Sequence, residues 1–377
     1  MRILHVCSQM NRAGTETLLM NLYRNIDRDK VQFDFAVFSE KECIYDNEIL
    51  HLGGVIYHYP RYTGINHFYF VKWWEDFFCT HPEYHIIHGH VGSTAALYLG
   101  VAKKHGLYTV AHSHNTTRIN SIKALLYVLY SYPTRHIADY FFACSKQAMI
   151  DRYGTKIANN TMISSVLNNA IDVQQFVYNT ALRKQVRDLL GLDESDFVLG
   201  TVGRLTRQKN PEMILDIVQR LIQDNVSVKM VWVGEGELEK YIRKEIQKKH
   251  LQDSFRLIGV RSDIPDILQS FDLFLFPSLF EGLGLACVEA QASGLPTLCS
   301  DQVPLDAKVS DSICFLPLND IDAWIRRITE IRQSDYHSNR QKKDTCRQLA
   351  DAGFDIKSVA KCLELFYLER DQKINET

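Results

Sequence analysis

Short apolar runs rich in β-branched and aromatic residues alternate with longer helix-like stretches along almost the whole chain, and this alternation restricts the fold more than any other feature. Strands are expected at Ile3–Ser8, Val31–Phe38, Val55–Tyr59, His85–His88, Tyr108–His112, Tyr140–Cys144 and Met162–Leu167. Helices are expected near 15–26, 67–79, 93–104, 121–132 and 146–152. Strands apolar on both faces need cover on both sides, and helices between them supply the crossovers of a parallel sheet. Residues from about Ile171 to Ser195 are polar and lack strand character, which places an interdomain hinge near 171–195. The alternation then resumes with strands at Phe197–Val202, Val228–Val233, Phe255–Ile258, Leu273–Phe276, Thr297–Cys299 and Ile313–Leu316, and helices at 211–223, 237–249, 263–269, 285–292 and 320–332.

Two doubly wound α/β domains follow, over 1–175 and 176–354, with a last helix inside 355–377 that is expected to pack back on the first domain. A length of 377 residues suits two domains of the usual ~100–200 residues. Ligands of open α/β sheets bind at the carboxyl ends of the strands, so a cleft between the two domains is the expected site.

A formal net charge of −2 gives no basic excess for tracking nucleic acid. The nine cysteines are odd in number, widely spaced and without a C-x-x-C pair, so they are expected as reduced thiols in a cytoplasmic protein. The amino terminus holds too short an apolar stretch for a signal peptide, and no run reaches the roughly 18 apolar residues of a membrane span. The expected location is the cytoplasm, with the inner face of the cell membrane as a surface the chain could touch.

Two stretches carry the chemistry. In Phe274 to Ala290 a buried strand runs into a loop with Gly282 and Gly284 and then into a helix. The glycines allow close backbone approach, and the helix start aims free N–H groups at an anion. Glu281 precedes that helix and Glu289 lies about a turn inside it, where carboxylates suit hydroxyl groups of a sugar or ribose. In Gly200 to Pro211 a strand ends at Gly203, a loop carries Arg204 and Lys209, and Pro211 opens a helix. A guanidinium fork and a compact ammonium there suit a phosphate. Read separately, the carboxylates also suit ordinary helix starts, and the basic loop also suits a solvated surface.

Together the stretches resemble the retaining GT-B glycosyltransferases of family 4. The family's pattern of Glu, seven residues, Glu matches Glu281 and Glu289, and its basic loop matches Gly203-Arg204-Leu205 with Lys209-Asn210-Pro211. The segments Val233-Gly234-Glu235-Gly236 and Gly259 to Ile264 are also similar. The resemblance implies two Rossmann-like domains facing a central cleft, with the acceptor on the first and a nucleotide-diphosphate sugar, more readily UDP-linked, on the second. It implies that Arg204 and Lys209 neutralise the leaving diphosphate, Glu281 contacts the donor sugar and Glu289 the ribose. It further implies that the backbone of Val260 meets the base and that amides of Leu283, Gly284 and Leu285 meet phosphate or sugar. No protein nucleophile is needed, because the reaction asks for leaving-group stabilisation and a sheltered oxocarbenium-like state.

The first half matches less closely. The loop Met10 to Thr17 has Ala13 before Gly14 where the family carries two glycines. The family's cleft histidine corresponds by register to His114, with His112 as competitor two residues away on the same face. A metal held by that pair lacks a visible third ligand in the sequence. The apolar segment Ile122 to Tyr132 suits either a buried wall or a surface for a lipid-linked acceptor. The Asp-x-Asp spacings at Asp27-Arg28-Asp29 and Asp320-Ile321-Asp322 fall at loops bordering helices rather than at strand ends, and no dinucleotide fingerprint follows the first strand. The expectation is a glycosyltransferase of a capsular or exopolysaccharide pathway that uses no cofactor or essential metal. Its partners would be a nucleotide sugar and a glycan or lipid-linked acceptor. A nucleotide-sugar epimerase of the same fold and a silent donor-binding subunit are the alternatives.

Overall fold

The computed structural model describes every residue except Arg12, residues 115–121, 335–339 and 341–343, and Thr377; the side chains of 122–126 and 375 also lie outside the description. The runs apolar on both faces become the strands of two sheets. In the first, β1 (Arg2–Cys7), β2 (Gln32–Val37), β3 (Ile56–His58), β4 (Tyr84–Gly89), β5 (Tyr108–Ser113), β6 (Tyr140–Ala143) and β7 (Ser164–Val166) take the order β3-β2-β1-β4-β5-β6-β7. In the second, β8 (Val198–Val202), β9 (Lys229–Val233), β10 (Phe255–Leu257), β11 (Leu273–Phe276), β12 (Thr297–Ser300) and β13 (Ile313–Leu316) take the order β10-β9-β8-β11-β12-β13. Paired strands are parallel in both sheets. Each sheet therefore reverses its strand order once, between β1 and β4 and between β8 and β11, where a doubly wound fold leaves room for a ligand.

The chain divides into two units, Met1–Ile171 with Gly353–Thr377, and Asp172–Ala352. In the first, one face of the sheet buries Tyr23, Phe33 and Phe35 together with Val359, Leu363 and Tyr367 of the helix Ile356–Asn375. Phe70, Trp74, Tyr98 and Leu99 cover the other face. In the second, the helix Pro211–Gln223 places Leu215, Ile217 and Leu221 in a core with Trp232, Trp324 and Ile328. All nine cysteines are free thiols.

The polar stretch read as a hinge contains the helix Thr180–Leu190, which belongs to the second unit. It looks polar because its inward face is built from Arg183 and Arg187. Both guanidiniums meet the carboxylate of Asp272, which sits just before β11 and also accepts the backbone N–H of Val198 at 2.6 Å. A hydrophobicity pattern misses a helix whose buried contacts are charges. The short helices Asp46–His51 and Thr345–Asp351 were likewise not anticipated, being too brief for a clear period.

Candidate functional site

In the second unit the strand-order reversal is flanked by the loops that leave β8 and β11, and these are the two stretches singled out above. Where β8 ends, the Gly203 N–H donates to the Val233 carbonyl at 2.9 Å, and the Trp232 indole N–H donates to the Gly203 carbonyl at 2.8 Å. A Cβ on Gly234 would lie 2.3 Å from the Gly203 oxygen, so only glycine fits beside this turn. Leu205 is fully buried and its N–H donates to the Glu235 carbonyl at 3.0 Å, while Arg204 beside it is exposed, with no ion pair among the described residues. A short 3-10 turn, Arg207–Lys209, and Asn210 in the left-handed region at φ 53° then lead into Pro211.

This turn fixes Lys209. Its Nζ lies 2.5 Å from Glu281 Oε1 and 4.5 Å from the ring centre of Phe276 at the end of β11. The Lys209 and Glu281 side chains keep only 18% and 8% of their surface. Two further bonds tie the loops together: Gln208 Nε2 donates to the Phe280 carbonyl at 3.0 Å, and the Leu279 N–H donates to the Gln208 carbonyl at 2.8 Å.

From Glu281 the chain passes Gly282, where an added Cβ would meet nothing within 4 Å, and buried Leu283. Gly284 caps the helix Leu285–Ala292 at φ 91°, against the Phe276 ring. No side chain caps this helix, so its first N–H groups and dipole are left for an anion. Glu289 keeps part of its surface, but burial of the carboxyl pushes its pKa up to about 7. Val260 follows β10 at the same edge of the sheet, 69% exposed, and the carbonyl of its neighbour Gly259 accepts from the Gly234 N–H at 2.7 Å. Gly203, Lys209 and Glu281 to Glu289 thus come together on two adjoining loops, with exposed Arg204 and Val260 on the same carboxyl edge.

A cavity of about 240 Å³ lies beside β12 and β13, among Pro296, Ser312, Arg327 and Arg340. None of the residues that line it belongs to the loops after β8 and β11.

In the first unit the helix Gly14–Asn25 begins directly at Gly14, which is exposed with nothing within 4 Å of an added Cβ. Arg12 and Asn115 lie outside the described residues. His114 follows β5 and, with His112, joins a cluster that the sequence reading did not anticipate. The parallel register sets His5 of β1 beside His88 of β4, and Gly89 beside Ala111. Side chains two apart share a face, so His5, His88, His90, His112 and His114 gather on one side of the sheet. Their contact distances run from His5 Nδ1 to His90 Nε2, 3.0 Å, and from His90 Nδ1 to His114 Nε2, 2.8 Å. The expectation that the His112 and His114 pair lacks a third ligand is corrected, because β4 brings His90 against both. The repeated His-x-His at the ends of adjacent strands was the signal in the sequence. Burial holds His5 and His114 down to about 3, and burial with neighbouring imidazoles holds His88, His90 and His112 well below the ordinary range. All five rings are therefore neutral near pH 7.

Two Rossmann-like sheets of this winding, with an anion-ready helix tip beside a cationic loop, define a GT-B protein. The profile of the family described as Glycosyl transferases group 1 matches residues 183–348. EpsF of Bacillus subtilis (strain 168), which carries a glycosyltransferase name, is 30% identical over 383 residues, covering 99% of this chain and 98% of its own. The UDP-Gal:alpha-D-GlcNAc-diphosphoundecaprenol alpha-1,3-galactosyltransferase of Escherichia coli is 30% identical over 303 residues, 75% of each chain. The crystal structure of Anabaena Alr3699/HepE in complex with UDP superposes with a TM-score of 0.78 at 17% identity, covering 98% of this chain and 100% of that one. The chain belongs to the glycosyl transferases group 1 family, has the GT-B fold and is a glycosyltransferase. Among the described residues no helix is long and apolar enough to cross a membrane.

Proposed function

We propose that the enzyme transfers a sugar from a UDP-sugar to a glycan or lipid-linked acceptor during synthesis of a capsular or extracellular polysaccharide, at the cytoplasmic face of the membrane. The observation that carries this reading is Lys209, pinned 2.5 Å from Glu281 between the two loops at the strand-order reversal. A diphosphate at the tip of the helix Leu285–Ala292 would draw Lys209 toward its oxygens and free Glu281 for sugar hydroxyls. The E. coli relative is named for a UDP-linked donor and a diphosphoundecaprenol-linked acceptor, and HepE was crystallised with UDP.

In this reading the bond between the anomeric carbon and the diphosphate oxygen breaks while the acceptor oxygen bonds to that carbon, and the acceptor proton passes to the departing diphosphate. Lys209, Arg204 and the amides of Leu283, Gly284 and Leu285 take up the charge that develops on the leaving group. Glu289 accepts from the ribose hydroxyls, and the Val260 backbone meets the base. Gly203 and Gly282 leave space for backbone approach, Gly14 takes part in binding the donor, and His114 faces the donor sugar as the family's cleft histidine does. Two side-chain cations and a helix tip supply the charge that a divalent ion would bring, so transfer proceeds without an essential metal, and the family resemblance supports retention at the anomeric carbon.

The test is a panel of UDP-, GDP- and ADP-sugars offered to the purified chain with polyprenyl-diphosphate-linked sugars, the products read by mass spectrometry and proton NMR. Transfer from a UDP-sugar with a retained linkage, unchanged by EDTA, supports the reading. An inverted linkage, an epimerised donor, or tight donor binding with no turnover on any acceptor overturns it.

A further inference from the structure

Five imidazoles on one face of the first sheet, His5, His88 and His112 buried and His90 and His114 half-buried, are unusual, because each neutral ring carries one N–H donor and one lone-pair acceptor that both need partners. His90 bonds to both His5 and His114, His88 Nδ1 lies 2.6 Å from the hydroxyl of Tyr367, and His5 Nε2 at the far end of the row has no partner among the described residues. His112 is the exception. It keeps 3% of its surface, stacks on His114 with ring centres 4.0 Å apart, and neither ring nitrogen has a hydrogen-bond partner among the described residues. The free nitrogens of His114 and His88, Nδ1 and Nε2, are also without partners there. A core that needed only bulk here would be filled by carbon rings such as neighbouring Phe142.

We propose that His90, His112 and His114 hold one divalent transition-metal ion of the zinc class, with a water molecule at the fourth position. Ligand nitrogens of these three residues lie within 4.8 Å of one another. A tetrahedral ion with metal–nitrogen bonds of about 2.0–2.1 Å needs nitrogens roughly 3.3 Å apart, a separation between that limit and the close His90–His114 contact. The ion would take the place of the proton those two rings share. Three histidines and a water form a complete zinc coordination set, and imidazole favours zinc, cobalt, nickel or copper over magnesium and calcium, which prefer oxygen.

The surroundings fit a ligand set better than they fit bare rings. With Nδ1 of His90 on the ion, its Nε2–H faces Nδ1 of His5, an outer contact of the kind that orients ligating histidines. A second group, His5, His88 and His90, also has its nitrogens within 4.8 Å, but it shares His90, and His88 is held by Tyr367. The ion fastens the ends of β4 and β5. It takes no part in the transfer proposed above, and His114 can give one nitrogen to it and keep the other, so the two readings fail separately.

The full-length chain is stripped with a chelator, desalted and titrated with Co2+ as the probe. The expected result is one Co2+ per chain with the intense visible bands of a tetrahedral nitrogen and oxygen site, without a sulfur-to-metal charge-transfer band, and displaced by Zn2+. His112→Phe, which keeps a ring of similar volume, should abolish those bands, whereas His88→Phe should retain them. Micromolar Zn2+ should raise the melting temperature of the unmutated chain. The proposal is overturned if the unmutated chain retains no Co2+, shows thiolate bands from its cysteines, or binds it in the weak six-coordinate manner. It is equally overturned if a folded His112→Phe chain binds as before, or if His88→Phe alone abolishes the spectrum.

Discussion

The loops after β1 and β4 in the first unit, and after β8 and β11 in the second, leave their sheets at equivalent places, yet they carry different chemistry. The second unit presents a cation, two carboxylates and an uncapped helix, knit together by Lys209 and Glu281. The first presents five neutral imidazoles and a helix opened by an exposed glycine. One winding rule puts a pocket at both positions, but it does not decide what each pocket binds. In the second unit Lys209 and Glu281 are paired with little of their surface exposed, ready to be exchanged for a charged ligand. In the first the imidazoles are buried or half-buried, and burial together with neighbouring rings keeps them neutral.

Substitutions at the paired charges should separate the two regions most sharply. Glu281→Ala and Lys209→Ala are each expected to cut transfer by roughly 100–1,000-fold, the usual scale for removing one group that stabilises developing charge. Loss of less than about tenfold in steady-state assays for both would dissolve the contrast. Next in size is the frame of the second unit. Asp272→Ala leaves Arg183 and Arg187 buried without their carboxylate and should cost about 3–5 kcal/mol in urea unfolding. Hydrogen exchange should show β8 and β11 loosened and β1 and β4 still protected.

Glu289 gives a pH test. Its carboxyl titrates at about 7 in the folded chain against 4.5 when unperturbed, so the native state holds the proton over that window. The contribution of Glu289 to native stability is therefore fully present below about pH 4.5 and is lost as pH rises through 7. Glu289→Gln should stabilise the ligand-free chain by roughly 1–2 kcal/mol at about pH 8, allowing for the part of the carboxylate that stays wet, with no difference near pH 4. It should also weaken donor binding by about tenfold in calorimetry, since a hydrogen bond to a charged group is lost. A melting temperature of the variant below that of the unmutated chain at high pH would contradict the buried carboxylate.

The smallest expected effects come from glycines. Gly284→Ala places a side chain at φ 91° against Phe276 and should cost about 1–2 kcal/mol, whereas Gly14→Ala enters open space and should change stability by less than about 0.5 kcal/mol. Equal melting-temperature shifts for the two would show that the loops are equally constrained.

Much of this was legible without coordinates. Every strand of both sheets was readable as an apolar run between helical stretches, and Gly203, Lys209, Glu281 and Glu289 stood out by the company they keep along the chain. The helix Thr180–Leu190 was not readable, because its buried face is made of arginines whose partner, Asp272, lies far along the sequence. His5, His88 and His90 were passed over for a related reason. Each looks like an isolated polar residue on a strand until β1, β4 and β5 are placed side by side.

The sequence alone determined the alternation of strands and helices, and with it two wound sheets, because burial on both faces of a strand is written in consecutive residues. It also determined which loops carry glycine and charge. Only the tertiary structure decided that Lys209 meets Glu281, that Asp272 neutralises two arginines and that five histidines share one face. Those are contacts between segments distant in sequence, fixed by strand order and register, and no local pattern of residues records which strand will lie beside which.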